Sequence, residues 1–120
     1  MQRLLRYAAV GALATAVHYA VLVAGVEVLG WPAPAAAAFG AAVGAQVAFA
    51  GNRRLTFGHR GPMLPAWWRF QATALLGAGI SAALVGLGAR AGLHYLAAQA
   101  IATGLVLLLT FAINRRWSFR

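Results

Sequence analysis

Charged residues divide this chain into four long apolar stretches. Residues 7–26, 28–52, 70–89 and 91–114 contain no charge at all. Each is about 20 residues or longer, the length that crosses a hydrocarbon core of ~30 Å as a helix. No water is present there to satisfy the backbone, so each stretch must bond within itself as an α-helix. A soluble Ala-rich bundle would need a polar face on every helix, and these stretches hold too few polar positions to supply one. The first stretch is longer than the apolar part of a signal peptide, and three similar ones follow. The pattern predicts an all-α integral membrane protein of four transmembrane helices. "WPAP" at 31–34 makes one turn and residues 90–95 another. "GHRGPMLPAWWRF" at 58–70 is the central linker, broken by Gly and Pro, with Trp67 and Trp68 suited to an interfacial anchor or short amphipathic turn.

Composition sharpens this reading. Of 120 residues 62% are hydrophobic, mean hydropathy is +0.76, and 9% are charged, against roughly 25% in soluble domains. All ten cations are Arg, the one acid is Glu27, and Cys is absent, which excludes disulfides and thiolate chemistry. Nine of the arginines fall before the first stretch, between the second and third, or after the fourth; only Arg90 falls on the other side. By the positive-inside rule both termini and the central loop are cytoplasmic, in a multi-pass protein of the cytoplasmic membrane. The net charge of +9 flanks membrane spans, so nucleic acid is not an expected partner.

The chain also repeats itself. "FAGNRRLTF" at 49–57 returns as "FAINRRWSF" at 111–119, with Asn52 and Asn114 offset by 62 residues. Arg6-Tyr7 corresponds to Arg69-Phe70 at an offset of 63, so one residue is gained or lost between. Each half is a two-span hairpin, about 4–58 and 67–120, within a single domain of 1–120. Two spans return the chain to its starting side. The repeats are therefore parallel, related by a pseudo-two-fold axis along the membrane normal. Glu27 and Arg90, again 63 apart, take equivalent outer ends, either as a pair across that axis or as two independent interfacial charges. Gly40-x-x-x-Gly44 lets helix backbones approach closely, within the chain or at a homodimer interface.

The repeated motif carries the candidate chemistry. Arg53, Arg54, Arg115 and Arg116 cluster at one face, and the guanidinium fork matches phosphate oxygens bidentately. Asn52 and Asn114 add amide donors, and Thr56 and Ser118 add hydroxyls. Phe49, Phe57, Phe111, Phe119 and Trp117 suit an isoprenoid path or a sugar face. The set fits a lipid phosphate or pyrophosphate at headgroup depth. The alternative is that the arginines only set topology and attract anionic membrane lipids, at ~1 kcal/mol each. Arg6 and Arg69 lie at the same face and are open to both readings. Deeper in the first span, His18 is twelve residues past Arg6, roughly 18 Å along the helix. Either it serves a sugar hydroxyl or a proton, or it is a neutral side chain with one interhelical bond. Gln46 lies about 9 Å deeper than Asn52 by the same rise. With Gln71, Thr73, Ser81, Gln99, Thr103 and Thr110 it either joins helices or lines a groove.

Catalysis finds little support. There is no Asp, no metal-ligand spacing, no Ser-His-acid set and no phosphate-cradling Gly loop. An enzyme is not expected, nor a metal or a cofactor. A four-span drug exporter working by proton exchange would need an acid embedded in its first helix, and Glu27 lies near that helix's outer end.

The residues Arg6-Tyr7-x-x-Val10-Gly11-x-x-x-Thr15, with Phe49-x-x-Asn52-Arg53-x-x-Thr56-Phe57 and Phe111-x-x-Asn114-Arg115-x-x-Ser118-Phe119, resemble the motifs of the GtrA family. These are small four-span proteins, and related domains are fused to some polyprenyl-phosphate mannose synthases. The resemblance covers essentially the whole chain. It implies a role in cell-surface polysaccharide synthesis, by flipping a polyprenyl-phosphate sugar to the outer leaflet. The alternative it implies is an anchor or recruiting subunit for a partner glycosyltransferase. Asn52, Arg53, Arg54, Thr56 and Phe57, with Asn114, Arg115, Arg116, Ser118 and Phe119, are the expected lipid-phosphate and sugar contacts. Arg6, Gln46 and His18 complete that set.

Overall fold

A computed structural model describes residues 1–120, Tyr95 through its backbone alone. It is all-helical: α1 (Gln2–Glu27), α2 (Ala33–Gly51), α3 (Met63–Arg90) and α4 (Tyr95–Ile113). A single π-helical turn follows α2 at Asn52–Thr56, and another follows α4 at Asn114–Ser118. All four helices are long and apolar enough to cross a membrane. Large apolar side chains such as Leu13, Leu75, Leu76, Leu105 and Leu108 point outward, as expected where the solvent is lipid rather than water.

The chain forms two compact units, Met1–His59 and Arg60–Arg120. Each is an antiparallel helix pair. In the first unit α1 packs on α2, and small residues set the approach. A Cβ at Gly40 would lie 2.7 Å from the His18 carbonyl oxygen, and one at Gly44 2.9 Å from that of Ala14. Any side chain there would force the helices apart. The Gly40/Gly44 stripe is thus spent inside the hairpin, which removes it as a homodimer interface. Near the connecting turn, a Cβ at Gly25 would meet the Ala36 Cβ at 2.9 Å.

In the second unit α3 packs on α4. A Cβ at Gly88 would meet the Ala98 Cβ at 2.7 Å, matching Gly25 and Ala36. Deeper in the hairpin the small residue changes helix: Gly77 of α3 faces Val106 and Thr110 of α4.

The turns joining each pair explain the shift in repeat offset. The first spans residues 28–32 and the second 91–94, one residue fewer. Each needs one left-handed residue and uses glycine, Gly30 at φ 70° and Gly92 at φ 88°. The Leu93 amide bonds to the Gly88 carbonyl at 2.9 Å, whereas in the longer turn Trp31 reaches back to Gly25 at 2.9 Å. His94 begins α4 by accepting the Leu96 amide on its Nδ1 at 3.2 Å. The central linker is shorter than its Gly and Pro content suggests. Pro62 precedes the first residue of α3, where its fixed φ suits a helix start. Trp67 and Trp68 therefore ride on the first turns of a 28-residue helix rather than in a loop.

Candidate functional site

Both copies of the Asn-Arg-Arg motif fall on the π turns. The Phe57 amide bonds to the Asn52 carbonyl at 2.9 Å, and Phe119 to Asn114 at 3.0 Å, each spanning five residues. Widened turns of this kind are uncommon and concentrate at functional sites. One internal bond fixes each. The Thr56 hydroxyl donates to Asn52 Oδ1 at 2.7 Å, and the Ser118 hydroxyl to Asn114 Oδ1 at 2.6 Å. Residues four apart share a helix face, so the spacing itself brings these groups together.

All four of these side chains are buried; Asn52 is 2% exposed and Asn114 1%. They face into the helix pair. A buried hydroxyl–amide bond is worth about 1 kcal/mol, and leaving one partner unmatched costs about 1–3 kcal/mol. The structure thus places Asn52, Thr56, Asn114 and Ser118, which the sequence pattern offers as phosphate donors, in buried bonds within the turn. In the second unit Thr73 adds to this core. It donates to the Arg69 carbonyl at 2.9 Å and stands 3.4 Å from the Ser118 hydroxyl.

The aromatic residues behave similarly. Phe57 packs edge-on against Tyr7 with centroids 6.2 Å apart, and Phe119 lies tilted against Phe70 at 5.7 Å. Phe49 and Phe119 are buried, whereas Trp117 is exposed.

What the turns present outward is cationic. Arg54, Arg115 and Arg116 are exposed, with no bonded partner among the described residues. Arg53 is half-buried, its Nε 3.4 Å from His59 Nδ1. The fixed turn therefore holds guanidinium groups outward at the end of a helix, beside apolar surface.

Arg6 and Arg69 take a role that sequence reasoning missed. Arg6 Nη1 donates to the Leu55 carbonyl at 3.3 Å, and Arg69 Nη1 to the Trp117 carbonyl at 3.3 Å. Each reaches from the first helix of its hairpin to cap the π turn ending the second. Arg69 also lies over the Trp117 ring, 5.9 Å from its centroid. The signal was present in the shared offset of 63, but the acceptors are carbonyls, which no side-chain pattern announces.

Two further candidates stand apart from the turns. Gln46 is exposed on α2, with its Nε2 3.3 Å from the Ala42 carbonyl. His18 sits mid-helix against Gly40 and edge-on to Tyr19. Its Nε2 is buried and has no partner among the described residues. Neither lies on a π turn. No group of His, Cys, Asp or Glu able to hold a metal occurs among the described residues.

The chain matches the family model for the GtrA/DPMS transmembrane domain over residues 6–119. That span runs from the first bracing arginine to Phe119, the residue that follows the second turn. Among curated proteins none gives a significant match.

Proposed function

Because the chain belongs to the GtrA/DPMS transmembrane family, whose role lies in membrane glycan and polysaccharide synthesis and which is generally non-catalytic, we propose that it flips a polyprenyl-phosphate-linked sugar across the cytoplasmic membrane. The observation that carries this reading is the pair of π turns. Each is locked by a buried Asn–hydroxyl bond and aims exposed guanidinium groups outward. Arg54, Arg115 and Arg116, with Arg53 behind His59, offer planar donors to phosphate oxygens at headgroup depth. Asn52, Thr56, Asn114 and Ser118 hold the backbone that positions them, and Arg6 and Arg69 brace that backbone. The termini and both turns face the cytoplasm in this reading, where the charged lipid is made.

One observation favours the second reading, a recruiting subunit for a glycosyltransferase. Several polar side chains within the spans bond along their own helices, while His18 Nε2 and Gln71 Nε2 are buried with no partner among the described residues. Thr15 bonds to the Gly11 carbonyl, Gln99 to Thr103, and Thr110 to the Val106 carbonyl. Groups satisfied this way contribute little to a polar path for a sugar.

Proteoliposomes separate the two. Purified protein should move a polyprenyl-phosphate sugar between leaflets, and Arg54→Gln/Arg116→Gln should slow that movement at least tenfold while its melting temperature in detergent is unchanged. A folded wild type that binds the lipid but moves none would overturn flipping in favour of recruitment.

A further inference from the structure

The two turns differ in what lies beside them. In the first hairpin an open groove of about 430 Å³ is lined by Leu13, Val47, Ala50, Gly51, Arg54 and Leu55. That volume falls within the range of small-ligand sites, about 300–1,000 Å³. The groove has one charged end. Arg54 is its one charged lining residue, and Val47 lies seven residues back along the chain, about 10 Å away by helical rise. Everything beyond the guanidinium is apolar.

The repeat makes a comparison possible within one chain. At the offsets of 62 and 63 the equivalents of Val47, Gly51 and Leu55 are Leu109, Ile113 and Trp117. Each is larger, while Leu13, Ala50 and Arg54 recur unchanged in type as Leu76, Ala112 and Arg116. The second hairpin thus keeps the cation and sets bulkier side chains beside it. Trp117 is also held under Arg69, so it is not free to swing away without losing that contact.

From this we infer that only the first hairpin seats the lipid's chain. A single isoprenoid chain lies along Leu13, Val47 and Ala50 with its phosphate on Arg54, whereas the second turn presents charge alone. Val47, Gly51 and Leu55 are then the residues that decide which of two pseudo-equivalent turns accepts a chain. Charge complementarity selects an anionic headgroup, and the unbranched run of apolar wall below one guanidinium selects one chain rather than two. The inference rests on the proposed function for the identity of the lipid and deepens it by assigning unequal roles to the halves.

The test uses a polyprenyl phosphate carrying a diazirine in its first isoprene units, photolysed with the full-length protein in lipid nanodiscs and mapped by mass spectrometry. Labelling is expected on Leu13, Val47 or Ala50. Val47→Leu/Leu55→Trp, which copies the second hairpin at two positions while leaving Gly51 untouched, should reduce it at least tenfold. Leu109→Val/Trp117→Leu should leave first-hairpin labelling unchanged, and melting temperatures identify any variant that fails to fold. Equal labelling of both hairpins, or labelling that survives Val47→Leu/Leu55→Trp in a folded protein, would overturn the assignment. Displacement by an equal concentration of diacyl phosphatidylglycerol would overturn it too, in favour of an ordinary anionic lipid. Absence of label from a protein that still moves the lipid in proteoliposomes sinks this inference alone; absence of both sinks the proposed function with it.

Discussion

In the first hairpin the bulk sits on the leading helix. Val10, Ala14 and His18 of α1 stand against Gly51, Gly44 and Gly40 of α2. In the second hairpin the equivalents on α3 are Thr73, Gly77 and Ser81, and those on α4 are Ile113, Val106 and Ala102. At His18/Gly40 and Ala14/Gly44 the leading helix has lost volume and the following helix has gained it. At Val10/Gly51 the leading side chain keeps its shape and gains a hydroxyl, which Ser118 meets. Two helices can come equally close with the bulk on either side, because packing constrains the sum of volumes across a contact more than their division. The ends of the hairpins, by contrast, are held nearly constant. The Asn–hydroxyl bond, the arginine brace and the aromatic pair recur in both, with distances that agree to within half an ångström.

The largest expected effect comes from reversing the exchange at one contact. Gly40→Ala places a methyl 2.7 Å from a backbone oxygen that cannot rotate away, and overpacking of this kind costs about 1–3 kcal/mol. Thermal unfolding in detergent should show the loss, and adding His18→Ser should recover part of it by removing the imidazole from the same space. No recovery would break the idea that volume was traded between the helices.

Next are the bonds that the hairpins share. Asn52→Ala and Asn114→Ala each strand a buried hydroxyl and should cost about 1–3 kcal/mol. In double-mutant cycles with Thr56→Val and Ser118→Val, the paired variants should lose less than the sum of the single ones. Additive losses would mean that the bonds contribute nothing beyond packing. Loss of the extended amide bonds in hydrogen exchange at Phe57 and Phe119 would show that the Asn side chains hold the π turns open.

The smallest effect separates the braces. Arg6→Gln and Arg69→Gln remove exposed bonds to carbonyls, and each should cost less than about 1 kcal/mol. Arg69→Gln should cost more, by roughly the 0.5–1 kcal/mol of an exposed cation–π contact. Trp117→Leu should remove the difference. If the two arginines remain unequal in that background, the asymmetry has another source.

The sequence by itself determined the class of protein, the four spans and the internal repeat. Chain length and the near-absence of charge leave lipid as the only solvent in which these stretches bury their backbone, and a nine-residue motif occurring twice marks the repeat without any structure. It also marked the Asn-Arg-Arg motif that ends each second span as the candidate site. Tertiary structure decided which of the motif's side chains face inward. A sequence gives Asn52 and Arg54 equal standing as donors; only the helix pair buries one and exposes the other. It decided too that Gly40 and Gly44 are buried between α1 and α2, that Arg6 and Arg69 reach carbonyls on a helix about fifty residues away, and that a groove opens beside the first turn. Each of these depends on where two helices approach most closely. That distance is fixed by the summed volumes of residues far apart in the chain, and no local pattern carries the sum.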